Sequence, residues 1–181
     1  MRKEQVEIKK LGINGEGIGY INKKICFINN ALPGEVVDVE ITSDNNKFLK
    51  GRVIKHVKPS PVRVPSFCKD DNLCQGCSLT ALEYQQHLPH KKGILKDALK
   101  KFTEYDVEKL PIRATIPSPV QKGYKRVVEL PITYFKGKVC FGIFQRESKY
   151  LTFMNRCAMQ DPLINQCLTK IENMFNELEL R

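Results

Sequence analysis

The sequence predicts a small β-barrel followed by an α+β domain with antiparallel strands and helices. Three observations carry that expectation. The first sixty residues alternate at strand period, a turn-rich stretch with three cysteines follows, and strand and helix periods then mix to the end.

The opening segment alternates clearly. Val6 and Ile8 flank Glu7 and precede Lys9; Val37, Val39 and Ile41 alternate with Asp38 and Glu40; Leu49, Val53 and Val57 run among Lys50, Arg52 and Lys58. Period-two alternation buries one face of a strand and leaves the other in water. The run Gly15-Glu-Gly17-Ile-Gly19 joins the first strands, and Ala31-Leu-Pro33-Gly34-Glu35 turns tightly into the next. Short strands with glycine corners predict a closed five-strand barrel of the OB type over residues 1–59, an architecture that binds oligonucleotides. Those glycines also resemble a phosphate loop, but no helix follows them. Strand curvature is the better account.

A proline-rich connector, Pro59-Ser-Pro-Val-Arg-Val-Pro65, opens the second domain, residues 60–181. Thr80-x-x-Glu83 offers a capping box for a helix carrying Leu82, Ile94, Leu95, Leu99 and Phe102, with a break or kink expected at Pro89. Residues 124–133, 138–145 and 149–153 read as antiparallel strands, and Lys136-Gly137-Lys138 turns one hairpin. Asp161 as N-cap with Pro162 in the first turn starts a last helix. Its Ile164, Leu168, Ile171, Phe175 and Leu178 recur at helical spacing and predict a core-facing stripe.

The cysteines are the sharpest chemical signal. Cys68-Lys-Asp-Asp-Asn-Leu-Cys74-Gln-Gly-Cys77 sets three thiols in one turn-rich loop, and Cys157 lies eighty positions beyond Cys77. Thiolates are soft ligands that select zinc, copper(I) or iron–sulfur clusters. Zinc sites usually come as two short CxxC-like pairs. One close pair with an upstream thiol and a remote fourth fits a cubane held by four cysteines better. Cys26, Cys140 and Cys167 sit among apolar neighbours and read as small core residues.

With 41% hydrophobic and 28% charged residues, the chain has the means to bury a core. No stretch approaches the ~20 apolar residues of a membrane span. The start lacks the apolar segment of a secretion signal, and the odd cysteine count argues against a disulfide scaffold. A cytoplasmic location is expected, with no membrane partner. The net charge is +10, carried mainly by residues 1–60 (eleven Lys/Arg against seven Asp/Glu) and 87–150 (fourteen against six). Such an excess draws in polyanions. Lys47, Lys50, Arg52 and Lys58 fall on or beside the last barrel strand as phosphate contacts. Lys125, Arg126, Lys136, Lys138, Arg146 and Lys149 surround Tyr124, Phe141, Phe144 and Tyr150, a mixture suited to single-stranded RNA.

Leu11-Gly-Ile-Asn-Gly-Glu-Gly-Ile-Gly19, then Ala31-Leu-Pro-Gly-Glu35, then Arg52-Val53 and the proline connector, resemble the TRAM domain, an RNA-binding barrel. Cys68…Cys74-Gln-Gly-Cys77 with Leu82, Tyr84 and Lys91 looks like the segment after TRAM in bacterial RNA uracil-C5 methyltransferases. Tyr124-Lys125-Arg126, Phe141-Gly-Ile-Phe144 and Arg156-Cys157 with Asp161-Pro162 resemble that family's central domain. The resemblance implies a [4Fe-4S] cluster on Cys68, Cys74, Cys77 and Cys157. It also implies an RNA partner, ribosomal more than transfer RNA, and no DNA.

Members of that family bind S-adenosylmethionine in a catalytic domain with a glycine-rich turn, a nucleophilic cysteine and a general base. No such pattern occurs before Arg181, so no catalytic residue is assigned, and S-adenosylmethionine is expected only in a full-length enzyme. Two patterns also differ from the family: Tyr-Arg-Asn reads Tyr124-Lys125-Arg126, and Ser-His reads Ser148-Lys149. The expected role is the RNA-binding and iron–sulfur portion of an RNA uracil-C5 methyltransferase. Two alternatives stay open: a free-standing RNA-binding adaptor with a structural cluster or zinc, and a small iron–sulfur redox protein.

Overall fold

The computed structural model describes residues 2–71, 73–74, 76–145, 150–154 and 156–179. They fall into two compact units: Met1–Pro65 with Ser78–Pro117, and Ser66–Cys77 with Ser118–Arg181. This grouping by contact differs from the grouping by motif at 59/60, because Ser78–Pro117 joins the first unit.

The first unit is built on six strands: β1 (Lys3–Glu7), β2 (Lys10–Leu11), β3 (Gly17–Ile21), β4 (Lys24–Asn29), β5 (Val36–Asp44) and β6 (Phe48–Lys58). Their order is β1-β5-β6-β4-β3-β2, antiparallel except where β4 runs parallel to β6. A closed five-strand barrel is expected from the sequence; the described residues form instead a six-stranded mixed sheet with no closed ring. The difference lies at Ile8-Lys9, where the N-terminal stretch splits. β1 pairs with β5 at one edge and β2 with β3 at the other. Between them, the Ile8 amide donates to the Glu35 carbonyl at 2.9 Å and the Lys9 amide to Ile18 at 2.8 Å.

Val6, Ile8, Cys26, Ile28, Val37, Val39 and Leu49 form the core, while Glu7 and Lys9 face water. The alternation is realised at Val6 and Ile8 and at Val37 and Val39, whereas Val57 near the end of β6 is exposed, within a register shift between β5 and β6. The glycine run serves close approach: a Cβ on Gly19 would stand 2.3 Å from Val6 Cγ1. Pro33 and Gly34 make a type II turn, with Gly34 at φ +81 and the Glu35 amide donating to Leu32 at 3.1 Å.

Helix α1 (Tyr84–Phe102) starts without the expected capping box. Glu83 is the N-cap residue with no side-chain cap bond, and Thr80 is buried. The expected break at Pro89 is also absent. One helix runs through it, because Pro89 lies near the start, where the Gln85 carbonyl that loses its donor stands on an exposed residue open to water.

In the second unit, β7 (Ile132–Phe135), β8 (Lys138–Phe144) and β9 (Leu151–Phe153) form an antiparallel sheet in that order. Helix α2 (Pro162–Glu177) covers one face through Phe141, Met154 and Leu168, with Ile143, Ile164 and Ile171 packed around them. Asp161 caps the helix as expected, accepting from the Leu163 amide at 2.8 Å. Lys136 and Gly137 turn the hairpin with φ 51 and 77, the signs a type I′ turn needs. β9 pairs only with Gly142–Phe144, so it leaves the Val139 and Phe141 amides unsatisfied. They donate to Asn176 and Glu172 of α2, both at 2.9 Å.

The expected strand 124–133 is shorter, beginning at Ile132. Upstream, Lys125 bridges to Gln160 instead, its amide donating to Met159 at 2.9 Å and its carbonyl accepting from Asp161 at 3.0 Å. Cys167 is a second correction. It is exposed rather than core, since it lies one residue, about 100° of helical turn, from buried Leu168.

Candidate functional site

The four cysteines singled out by spacing all belong to the second unit. In the loop, the Leu73 and Cys74 amides both donate to the carbonyl of buried Asp70, at 2.9 and 2.7 Å, and the Gly76 amide donates to Cys74. These bonds wind the chain back on itself, and Gly76 leaves room beside the Cys74 sulfur: a Cβ there would meet Sγ at 3.2 Å. Cys157 is held by its carbonyl, which accepts from Asn165 Nδ2 at 3.0 Å and from the Gln160 amide at 3.2 Å. Its side chain packs against the Phe141–Met154–Leu168 cluster.

The thiols feel one another. Burial pushes the Cys77 thiol up, the Lys125 ammonium opposes this, and the neighbouring Cys157, Cys74 and Cys68 raise it further. Burial also raises Cys68, as do the charges of Asp70, Cys74 and Asp71, against a backbone hydrogen bond at Asp70 that lowers it. A bound cation would favour the thiolate forms of Cys68 and Cys77, which burial and neighbouring charge disfavour. Among the described residues, no three His, Cys, Asp or Glu side chains form a group able to hold a metal ion. The donor set fits a thiolate-held centre in its chemistry, while the geometry provides no ready site for a single ion.

The predicted cations are dispersed. Lys47 stands exposed at the head of β6, its amide bonded to Asn45 Oδ1 at 3.0 Å. Lys50 and Arg52 share a face of β6, Lys50 half-buried and Arg52 exposed but ion-paired with Glu40. Lys58 closes the strand, exposed and opposite Val36. In the second unit Lys125 is half-buried and acts on Cys77, so its charge points to the thiols. Arg126 is exposed and paired with Asp161. Lys136 and Lys138 are exposed at the hairpin tip. Arg146 and Lys149 lie outside the described residues.

Of the four aromatic rings expected to meet bases, Phe141 is buried under α2 and unavailable, whereas Tyr124, Phe144 and Tyr150 are exposed. Two features escaped the sequence. Phe135 and Phe153 stack with ring centroids 5.5 Å apart and planes at 13°, a contact set by strand register alone. Glu35, fully buried, accepts from Leu32 N (2.8 Å), Ser60 N (3.0 Å), Arg63 Nε (2.6 Å) and Arg63 Nη2 (2.9 Å). Burial raises the Glu35 carboxyl, and these four bonds with the Arg63 charge more than reverse it, holding it below the usual range. This clamp pins the connector to the sheet.

A six-stranded sheet with glycine corners precedes the cysteine loop in the sequence. Residues 2–54 match the TRAM domain. Nearly the whole chain is similar to part of RNA methyltransferases. It is 33% identical over 179 residues to an uncharacterized RNA methyltransferase of Streptococcus mutans, covering 99% of this chain and 39% of that protein. It is 34% identical over 175 residues to the 23S rRNA (uracil(1939)-C(5))-methyltransferase of Vibrio campbellii, covering 94% of this chain and 38% of that one. The crystal structure of Pyrococcus abyssi tRNA (uracil-54, C5)-methyltransferase with S-adenosyl-L-homocysteine shares the fold. It has a TM-score of 0.64 at 23% identity, over 97% of this chain and 37% of its own. The chain thus spans about two fifths of the length of these relatives. No helix among the described residues is long and apolar enough to cross a membrane.

Proposed function

We propose that these residues are the RNA-holding portion of an S-adenosylmethionine-dependent RNA uracil-C5 methyltransferase acting on ribosomal RNA. The observation that carries it is the match of residues 2–54 to TRAM within an alignment spanning nearly the whole chain to RNA methyltransferases. The preference for ribosomal RNA follows the named activity of the Vibrio relative. In this reading the six-stranded sheet of the first unit presents Lys47, Lys50, Arg52 and Lys58 to phosphates, and Arg126, Lys136 and Lys138 extend the contact. Holding the RNA fixes a target uridine for extrusion into a catalytic pocket. S-adenosylmethionine is the methyl donor, and we assign no residue of this chain to it.

Cys68, Cys74, Cys77 and Cys157 hold a [4Fe-4S] cluster in the same reading. What supports the cluster over zinc is the spacing: the close pair Cys74 and Cys77, with Cys68 upstream and Cys157 remote, suits a cubane that spreads its ligands over four irons. A bound cluster supplies a cross-link between the 68–77 loop and the turn before α2, and Lys125 offsets part of its negative charge. The function is tested by disrupting the encoding gene and measuring 5-methyluridine in RNA by mass spectrometry. One residue of 5-methyluridine should vanish from 23S rRNA. Loss from transfer RNA alone would move the substrate, and unchanged RNA would overturn the proposal.

A further inference from the structure

The face of the β7–β8–β9 sheet turned away from α2 carries a row of rings. Register fixes which residues share it. Directly opposed residues in an antiparallel pair lie on one face. Phe141 lies under α2, so its partner Ile132 and, two residues on, the Tyr134–Val139 pair belong to the helix side. Phe135 and Lys138, Gly142 and Phe153, and Phe144 and Leu151 therefore belong to the other side. β7 and β9 flank β8 at about 4.8 Å each. Rings from the two outer strands with centroids 5.5 Å apart must lean inward over the middle strand. The small residues Cys140 and Gly142 on that strand make room and are buried. The result is a preassembled ring pair with Phe144 beside it, 60% exposed, and Phe135 still 48% exposed.

The charge around these rings has one sign. Lys136 and Lys138 sit at the hairpin tip, with Lys136 Nζ 5.4 Å from the Phe135 ring centre, and no Asp or Glu occurs between Leu130 and Gln145. A second copy of this face would cover the rings but set lysine against lysine with no carboxylate from the same hairpin to pair them. A single-stranded RNA segment offers flat π-faces for the rings and phosphates for the lysines. We propose that this face is a stacking platform for unpaired bases of the RNA, with Phe135 and Phe153 as the stacked pair, Phe144 extending it, and Lys136 and Lys138 taking the flanking phosphates. The inference rests on the RNA-holding function proposed above and assigns it a site that reads stacking rather than charge.

The test uses the 181-residue protein and an oligouridine of about ten nucleotides, with and without abasic positions, titrated across salt. The double variant Phe135→Leu with Phe153→Leu keeps apolar volume and loses the π-faces. Affinity should fall about tenfold with the salt dependence unchanged, and the abasic oligomer should lose the same factor on the unaltered protein. Independently of any variant, 5-bromouridine in the oligomer should photocross-link to residues 132–153, as read by mass spectrometry. Full affinity in the double variant with cross-links confined to residues 2–58 would overturn the platform and leave the RNA-holding function standing. Absence of RNA binding by the unaltered protein would remove both. Sedimentation showing a dimer that the double variant dissolves, at unchanged RNA affinity, would assign the face to self-association instead and overturn the platform.

Discussion

The two units reach order by different means. The first encloses a core of nine buried side chains within six strands and adds the buried Glu35–Arg63 clamp. Among the described residues, the second has three strands, one covering helix and a buried cluster of Phe141, Met154 and Leu168. Small units with so little core commonly need a covalent or metal cross-link. The four cysteines singled out by spacing all belong to that second unit. Under the proposed function, the cysteines would anchor the half of the molecule with the smaller core.

The sharpest way to break that contrast is to remove one thiol. Cys157→Ser, or iron removal by a chelator, should destabilise the second unit by several kcal/mol, because metal binding energy is folding energy in such sites. Hydrogen exchange should then accelerate in Lys138–Phe144 and Pro162–Glu177 while Phe48–Lys58 stays protected. Equal loss in both units would dissolve the distinction. Protein purified without oxygen should carry about four irons and four sulfides per chain, as a cubane requires; a single tightly held zinc would contradict it.

A smaller but still large effect belongs to the first unit. Arg63→Met leaves the fully buried Glu35 without its counter-charge and should cost about 3–5 kcal/mol in denaturant melts. The same carboxyl gives the unit acid sensitivity. Its folded pKa lies below the unfolded value, so its stabilisation is full above about pH 4.3 and is lost as pH falls through the folded value. Glu35→Gln should flatten that acid limb and lower stability near neutrality.

Lesser still is Gly19→Ala, whose Cβ meets Val6 Cγ1 at 2.3 Å and the Glu7 carbonyl at 2.9 Å. Overpacking of this kind should cost about 2 kcal/mol and leave the second unit's exchange unaltered. The smallest change is Asp161→Ala, which removes the α2 cap and should cost about 1 kcal/mol, confined to the second unit.

Local pattern made much of this legible in the sequence. The alternation at Val6, Ile8, Val37 and Val39 and the Asp161-Pro162 helix start depend on neighbours within a few residues. What escaped depends on distant partners. The Glu35–Arg63 clamp joins positions 28 apart, and Glu35 alone looks like an ordinary turn residue. The Phe135–Phe153 pair exists only once β8 aligns both its neighbours. The failed capping box at Thr80 has the same origin, since local propensity yields there to the antiparallel bridge between Arg63 and Leu82. Lys125 reads as a phosphate contact by composition; its backbone bridge to Gln160, and its ammonium opposing the rise of the Cys77 thiol, depend on distant partners.

The most direct measurement is the affinity of the 181-residue protein for a structured fragment of 23S rRNA as a function of salt. Log affinity should fall linearly with log salt, by roughly 0.7–0.9 per phosphate contacted. Replacing Lys50 and Arg52 together should weaken binding to every sequence and flatten that slope. Absence of binding, or binding that ignores salt, would contradict the assignment of these residues to holding RNA.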